Sequence, residues 1–274
     1  MDLKQFTNNN RFLMLALDHR GSFKKYISQN PEAVTDGDVV KAKRMIIGSL
    51  TDLFSGVLID PAFVKTTAGK PSYADKPYLL CLEKTGYVEN DSERITELEY
   101  TAEQLKALGA SGTKLLLYFN PEAKNCEVQM ATAKEALADS HRNDLPFFLE
   151  IVTYGNEAAG KGRAEWVKRS VKMLLANSIV PDVWKLEFPD DLESCQEVTK
   201  LAQETPWILL TRGESFDVFK EQLRVAVAAG AVGFLAGRAL WQEFGQYPDE
   251  VSQNEFLIDL VRPRFEEISR IVLV

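Results

Sequence analysis

The chain contains few of the residues that bind transition metals or form disulfides: three cysteines and two histidines in 274 residues. Cys81, Cys126 and Cys195 lie far apart, and neither a CxxC nor an HExxH spacing is present. A zinc site needs clustered Cys and His ligands, and isolated cysteines are typical of reduced packing residues. We therefore expect no disulfide framework, no metal site and no cofactor.

Long apolar runs and clusters of positive charge are missing too. No run reaches the roughly 18 residues that a membrane span needs, and residues 1–5 lack the apolar core of a secretory signal. The net charge is -8 and the pI is near 5.1, which disfavours a nucleic-acid surface. No GxGxxG follows the first apolar run, which disfavours a dehydrogenase. We expect a cytoplasmic protein with neither nucleic acid nor membrane as a partner.

Eight short apolar runs are present, and each ends in polar or glycine-containing sequence. They are residues 12–17, 56–59, 77–82, 114–119, 146–152, 183–188, 207–210 and 232–236. Strands that are almost continuously apolar are typical of a parallel sheet whose outer face is covered by helices. The runs therefore predict eight strands of one parallel sheet.

Stretches with helical periodicity separate these runs, most clearly residues 98–108, 165–176 and 216–229. Eight strand-then-helix repeats predict an α/β fold, an eight-stranded parallel (β/α) TIM barrel. No Pro/Gly/Ser-rich linker or change in composition marks a domain boundary. We expect residues 1–274 to form a single domain, with residues 255–274 as a closing C-terminal helix.

One apolar run holds a lysine at its centre. Lys185 lies in residues 183–188, which Pro189 and two aspartates bring to an end. Burial of a long cation is costly unless the cation is paired or used. In an apolar, partly cationic environment a lysine loses its proton more readily, and the neutral amine can attack a carbonyl to form a Schiff base. Lys185 therefore indicates carbonyl chemistry.

Other polar residues lie at the carboxyl ends of the predicted strands, where such barrels carry their active sites. They are Asp18, Glu83, Lys114, Glu150, Glu187, Arg212 and Arg238. Because strand residues two apart share a face, we expect Lys185 and Glu187 both to point into the barrel. Buried ion pairs that merely fill the barrel are the alternative for Lys114 and Glu187.

Glycine and arginine are neighbours after both the seventh and the eighth predicted strand. Gly213 adjoins Arg212, and Gly237 adjoins Arg238. The loops after these two strands form the recurrent phosphate site of this architecture. We expect these four residues to bind substrate, with Arg238 making a charge-assisted contact to an anion.

Several of these segments resemble a known family. The strings LEKTGY (82–87), KLLLY (114–118), PFFLE (146–150) and VWKLE (183–187) resemble tagatose-1,6-bisphosphate aldolases. Residues 233–241 (GFLAGRALW) and those that follow are similar to the related sulfofructose-phosphate aldolases. The matches touch nearly every predicted strand in order, so the resemblance to these class I, Schiff-base aldolases covers almost the whole chain.

The resemblance implies a metal-independent aldolase that cleaves a phosphorylated ketose to dihydroxyacetone phosphate and an aldehyde. Position by position, Lys185 matches the imine-forming lysine and Glu150 the carboxylate that moves protons. Lys114 matches a second lysine near the imine, and Asp18 the acid after the first strand. Arg238 matches the phosphate-binding arginine.

The chain also departs from this family. His19 follows Asp18 where glutamine is common, which makes His19 a candidate substrate contact. Residues 211–214 (TRGE) replace a Ser-containing turn, so Arg212 either binds a second anionic group or pairs with Glu214. The DHR sequence at 18–20 and residues 117–122 also resemble the aldolase domain of inositol breakdown, whose substrate is 2-deoxy-5-keto-gluconate 6-phosphate.

Two further functions fit the same barrel. A sugar-phosphate isomerase or epimerase would use Lys185 as a base, and a non-catalytic sugar-phosphate-binding barrel would lack the lysine or the carboxylate. Lys185 and Glu150 are both present, which favours an enzyme acting on a phosphorylated sugar. Phe256, Leu260 and Phe265 either pack on the barrel or line a subunit interface, and we expect a homo-oligomer.

Overall fold

The computed structural model describes residues 1–66, 73, 75–90, 93–155 and 162–274. Eight strands close into a barrel, and every neighbouring pair is parallel. They are β1 (Phe12–Leu17), β2 (Gly56–Ile59), β3 (Tyr78–Cys81), β6 (Gly112–Phe119), β7 (Phe147–Thr153), β8 (Val183–Leu186), β9 (Trp207–Leu210) and β10 (Gly233–Ala236). Their order around the barrel is β1-β10-β9-β8-β7-β6-β3-β2. The predicted eight-stranded parallel barrel is confirmed.

A short antiparallel hairpin, which the apolar pattern did not predict, follows β3. Its strands are β4 (Val88–Asn90) and β5 (Glu93–Ile95). They hold charged and amide residues, and each has only three residues, so no apolar alternation marks them.

Helices alternate with the barrel strands. They are α1 (Lys24–Ile27), α2 (Asp36–Leu50), α3 (Pro61–Thr66), α4 (Ala102–Ala107), α5 (Cys126–Arg142), α6 (Arg163–Ala176), α7 (Leu192–Ala202), α8 (Phe216–Ala228), α9 (Arg238–Trp241), α10 (Glu250–Phe256) and α11 (Arg262–Leu273). The helix predicted over 98–108 begins only at Ala102, because Thr101 and Gln104 form a reciprocal capping box. None of the helices in the described residues is long and apolar enough to cross a membrane.

Alternation along the strands divides the core in two. Outward side chains pack with the helices in a large cluster, and inward side chains form a smaller cluster inside the barrel. Phe6 precedes β1 and packs edge-on against Phe148 in this inner cluster, with ring centroids 5.4 Å apart. The amino-terminal end of the barrel is thus filled with apolar side chains, which leaves the carboxyl ends of the strands for polar groups.

The C-terminal helices pack against the barrel. A π-helical turn, Leu257–Val261, joins α10 to α11. Phe256 and Phe265 are buried, and Phe265 meets Phe234 of β10 at a centroid distance of 5.4 Å, whereas Leu260 is exposed. Two of the three apolar residues therefore serve packing. The single-domain organisation and the homo-oligomer stay predictions.

Candidate active site

The register of the barrel places Lys185 and Glu150 side by side. They are partners in the β7–β8 ladder, and both lie on the inward face with Phe148 and Val183. Lys185 Nζ lies 2.8 Å from Glu150 Oε2, and the two residues are only 4% and 8% exposed. A buried amine and a carboxylate at this distance can pass a proton directly between them.

Lys114 lies one layer of side chains deeper. Leu116 is the β6 residue level with Glu150, so Lys114, two residues earlier, points into the barrel below that pair. Its Nζ lies 2.9 Å from Asp18 Oδ2 and 3.5 Å from Glu150 Oε2, and it donates to Glu83 Oε1. Burial alone would lower the pKa of Lys114, but these carboxylates, Asp18 foremost, raise it well above its usual value. Lys114 therefore stays protonated at neutral pH.

The carboxylates beside Lys114 respond to it differently. Burial would raise the pKa of Asp18, but attraction to Lys114 and Lys185 holds it well below its usual range. Burial raises the pKa of Glu83, and Lys114 only partly opposes this. Glu83 Oε2 also accepts the Leu116 N–H at 3.1 Å, on the edge of β6 that extends beyond the last paired residue of β3. The sequence placed Glu83 after a predicted strand but could not show that its carboxylate accepts a hydrogen bond from Lys114.

A cavity of about 280 Å³ opens above these groups. The predicted site residues that line it are Asp18, His19, Glu150, Lys185, Arg212, Gly237 and Arg238. Lys114 lies beneath the cavity, fully buried, and Gly213 lies behind the Arg238 side chain. Glu83 also lines it, as do Lys84 and Tyr118, which were not proposed from sequence.

Arg238 is the cation at the β10 side of the cavity. Its Nη1 donates to the Tyr26 hydroxyl at 3.3 Å, and no carboxylate oxygen of the described residues lies within 4.0 Å of its guanidinium. Gly213 has φ +82°, and a Cβ there would come within 2.9 Å of the guanidinium carbon. At Gly237 a Cβ would lie 3.1 Å from the Ala16 carbonyl oxygen. Gly213 therefore leaves room for the Arg238 guanidinium, whose charge no carboxylate of the described residues neutralises, whereas Gly237 lets the backbone pass close to β1.

Arg212 and Glu187 differ from expectation. The structure does not pair Arg212 with Glu214: its Nη1 contacts Glu187 Oε1, and its Nη2 donates to the Thr153 carbonyl at 3.3 Å. Glu187 also accepts from the Thr153 N–H at 3.0 Å and hydroxyl at 2.6 Å, and it does not line the cavity. The expectation that Glu187 points inward with Lys185 is wrong, because β8 ends at Leu186 and its alternation stops there. Burial raises the pKa of Glu187, although Arg212 opposes this.

His19 is held as a neutral ring. It packs edge-on against Trp241 and Tyr26, at centroid distances of 5.4 and 6.4 Å. Its Nδ1 is buried without a hydrogen-bond partner among the described residues, 3.8 Å from Asp18 Oδ1. Burial lowers the pKa of His19 to about 4, despite the opposing charge of Asp18. At neutral pH it can offer a substrate either a donor or an acceptor, but not a charge.

One group of side chains has metal-ligand chemistry. Ligand atoms of Asp18, Cys81 and Glu83 lie within 4.8 Å of one another. The Lys114 ammonium already contacts both carboxylates, and burial raises the pKa of the Cys81 thiol well above its usual value. A metal ion would have to displace a buried ammonium and deprotonate this thiol. The group therefore fits an internal cation better than a metal.

Comparisons with known proteins agree with this geometry. A sequence model of the DeoC/LacD family aldolases matches residues 12–243. Tagatose 1,6-diphosphate aldolase of Staphylococcus aureus strain JH9 is 29% identical over an alignment of 272 residues, covering 87% of this chain and 83% of the relative. A Schiff-base-forming fructose-1,6-bisphosphate aldolase superposes with a TM-score of 0.71 at 18% identity, covering 95% of this chain and 97% of that one. An archaeal fructose 1,6-bisphosphate aldolase gives 0.70 at 18% identity over 96% and 97%. At this identity the structures show a shared barrel fold.

Proposed function

The chain belongs to the DeoC/LacD family of aldolases, and from this we propose that it cleaves a phosphorylated ketose through a Schiff base on Lys185. The products would be dihydroxyacetone phosphate and an aldehyde. The observation that carries the proposal is the buried Lys185–Glu150 pair, 2.8 Å apart at the base of the cavity. Support also comes from a similar archaeal structure, in which the catalytic lysine is described as covalently bound to a carbinolamine intermediate.

Imine formation needs one proton acceptor beside the lysine. Glu150 takes a proton from Lys185, whose amine then attacks the ketone carbon of the substrate. The carbinolamine hydroxyl leaves as water after Glu150 returns a proton to it. The product is an iminium on Lys185, which withdraws electrons from the neighbouring carbons.

Cleavage uses the same carboxylate. Glu150 removes the proton from the hydroxyl on the carbon two positions away from the imine carbon. The bond between that hydroxyl-bearing carbon and the carbon next to the imine carbon then breaks. The bonding electrons move to the iminium to give an enamine, and the aldehyde leaves. Protonation of the enamine carbon and hydrolysis of the imine by water release dihydroxyacetone phosphate and free Lys185.

The other predicted residues would bind and orient the substrate. Arg238 is a cation without a carboxylate partner among the described residues, so it is the proposed phosphate ligand. Lys114 and Asp18 form a fixed charged pair at the floor of the cavity, from which Asp18 reaches the substrate hydroxyls. We further propose that His19 contacts substrate, that catalysis needs no metal, and that the enzyme is a cytoplasmic homo-oligomer.

The test is the intact-protein mass after incubation with dihydroxyacetone phosphate and borohydride, in the presence of EDTA. We expect a stable adduct in wild type and none in Lys185→Ala, because borohydride converts the imine on Lys185 into a secondary amine that no longer hydrolyses. Lys84→Ala is the matched control, since Lys84 also lines the cavity but its ammonium is paired with Glu97 at 2.8 Å and is exposed. This variant should form the adduct as wild type does.

Three results would contradict parts of the proposal. An adduct that persists in Lys185→Ala would place the imine on another lysine. No adduct in wild type would refute the Schiff-base mechanism and favour an isomerase or epimerase in which Lys185 is a base. Loss of the adduct on adding EDTA would refute metal independence.

A further inference from the structure

Tyr118 presents a hydroxyl to the cavity that the mechanism above does not use. It lies on β6 on the same face as Lys114, and its side chain lines the cavity while remaining half-buried. Among the described residues, no protein group hydrogen-bonds this hydroxyl. Burial raises the pKa of Tyr118, and Glu150 raises it further, so the hydroxyl stays a donor at neutral pH. A buried tyrosine hydroxyl usually has a hydrogen-bond partner, and the space open to this hydroxyl is the cavity.

The backbone of Tyr118 is fixed by the segment that follows β3. Its N–H donates to Thr96 Oγ1 at 3.3 Å, on the edge of β6 that β3 leaves unpaired. Gln129 of α5 is almost fully buried, and its Nε2 donates to the carbonyls of Tyr118 at 2.6 Å and Arg94 at 3.0 Å. Gln129 Oε1 accepts the Thr96 N–H at 3.0 Å. One buried amide thus ties Tyr118 to the β4–β5 hairpin.

The Tyr118 ring is held as firmly as its backbone. The Arg94 guanidinium lies over three tyrosine rings, 4.6 Å from the centroid of Tyr87, 5.1 Å from Tyr154 and 5.7 Å from Tyr118. Tyr87 and Tyr118 also meet edge to face, with centroids 4.7 Å apart. Cation–π and edge-to-face contacts restrict ring rotation. The aromatic ring of Tyr118 therefore packs against side chains on the hairpin side, while no residue that the structure describes hydrogen-bonds its hydroxyl.

The order of the strands shows which part of a substrate would meet Tyr118. The proposed phosphate ligand Arg238 follows β10, Lys185 lies on β8 and Glu150 on β7. A ketose bound by its phosphate at Arg238 and by its ketone carbon at Lys185 continues past Glu150 towards β6. Tyr118 is level with Val152, one layer above Glu150 on that next strand.

We propose that Tyr118 determines specificity for the aldehyde half of the substrate by donating a hydrogen bond to one of its hydroxyls. The inference rests on the proposed function, because it takes Lys185 as the imine position. The ligand class is an aldehyde that carries a hydroxyl close to its carbonyl group. Arg94 and Gln129 act through Tyr118 as positioning residues.

The experiment measures condensation, the reverse of cleavage, with dihydroxyacetone phosphate as the donor. The acceptors are glyceraldehyde and propanal, which share a three-carbon chain but differ in hydroxyl groups. The readout is the ratio of kcat/KM for glyceraldehyde to that for propanal. In Tyr118→Phe we expect this ratio to fall about three- to tenfold, the effect of one neutral hydrogen bond. Trapping of the dihydroxyacetone phosphate imine by borohydride should match wild type.

Tyr87→Phe is the matched control. Tyr87 contacts the same guanidinium and the Tyr118 ring, but it is 39% exposed and does not line the cavity, so the ratio should not change. An unchanged ratio in Tyr118→Phe would overturn the inference, as would an equal loss of rate with both aldehydes, which indicates a structural role. An imine that forms in wild type without condensing glyceraldehyde would also overturn it. Absence of the imine in wild type would instead refute the proposed function and remove the basis of the inference.

Discussion

Replacement of Lys114 by methionine tests whether this buried cation holds three carboxylates together. Lys114 is fully buried and contacts Asp18, Glu83 and Glu150. Glu150 keeps its contact with Lys185 in the variant, but Asp18 and Glu83 lose the only ammonium within salt-bridge distance among the described residues. Removing one partner of a buried ion pair costs about 3–5 kcal/mol. We expect Lys114→Met to lower the free energy of unfolding by about 4 kcal/mol at pH 8.

The loss of unfolding free energy in Lys114→Met should depend on pH. Burial already raises the pKa of Glu83, and Lys114 is the main group that opposes this shift. Without Lys114 only backbone hydrogen bonding still opposes it. The folded variant then binds protons more tightly than its unfolded chain does, so its stability falls as pH rises. Between pH 8 and pH 5 each carboxylate that becomes protonated recovers at most about 1.4 kcal/mol per pH unit. The deficit relative to wild type should therefore shrink to about 2 kcal/mol at pH 5.

The measurement is urea unfolding followed by circular dichroism at pH 8 and pH 5. Lys84→Met is the control: its pair with Glu97 is exposed on both sides, so its loss should change the free energy of unfolding by less than about 0.5 kcal/mol. A Lys114→Met deficit below about 1 kcal/mol at pH 8, or one equal at both pH values, would refute the reasoning.

Two further predictions follow from the cavity wall. The pKa of His19 is lowered from 6.5 to about 4, so its contribution to stability is complete above pH 6.5 and is lost as pH falls to 4, by about 3 kcal/mol. In His19→Gln the free energy of unfolding, measured with urea, should lose this dependence on pH between 6.5 and 4. An unchanged pH dependence would contradict the assignment. Gly213→Ala should displace the Arg238 guanidinium, since the new Cβ would lie 2.9 Å from it. The dihydroxyacetone phosphate concentration that gives half-maximal imine trapping should then rise about tenfold. Arg238→Ala should have the same effect. Half-saturation equal to wild type in both variants would argue against a phosphate site there.

The strands were predictable because their signal is local. Each barrel strand is a short apolar run, and burial on both faces of a parallel sheet requires that pattern whatever the neighbours are. Lys185 could be singled out for the same reason, because burial of a cation inside an apolar strand is costly unless the cation is paired or used in catalysis. The strands β4 and β5 gave no such signal, because short polar strands depend on contacts with Tyr118, Gln129 and Tyr154 that are distant in sequence.

The sequence alone predicted the barrel, the order of its strands and the residue types available for carbonyl chemistry near their carboxyl ends. The contacts between these side chains depend on the folded barrel and could not be predicted. Period-two alternation predicted that Lys185 points inward, but it failed for Glu187, which turns to Arg212 once β8 has ended. Likewise, Lys114 stays protonated because of Asp18 and Glu83, which follow the ends of β1 and β3. Side-chain direction follows from local backbone geometry, whereas charge state and partner follow from through-space neighbours that closure of the barrel brings together.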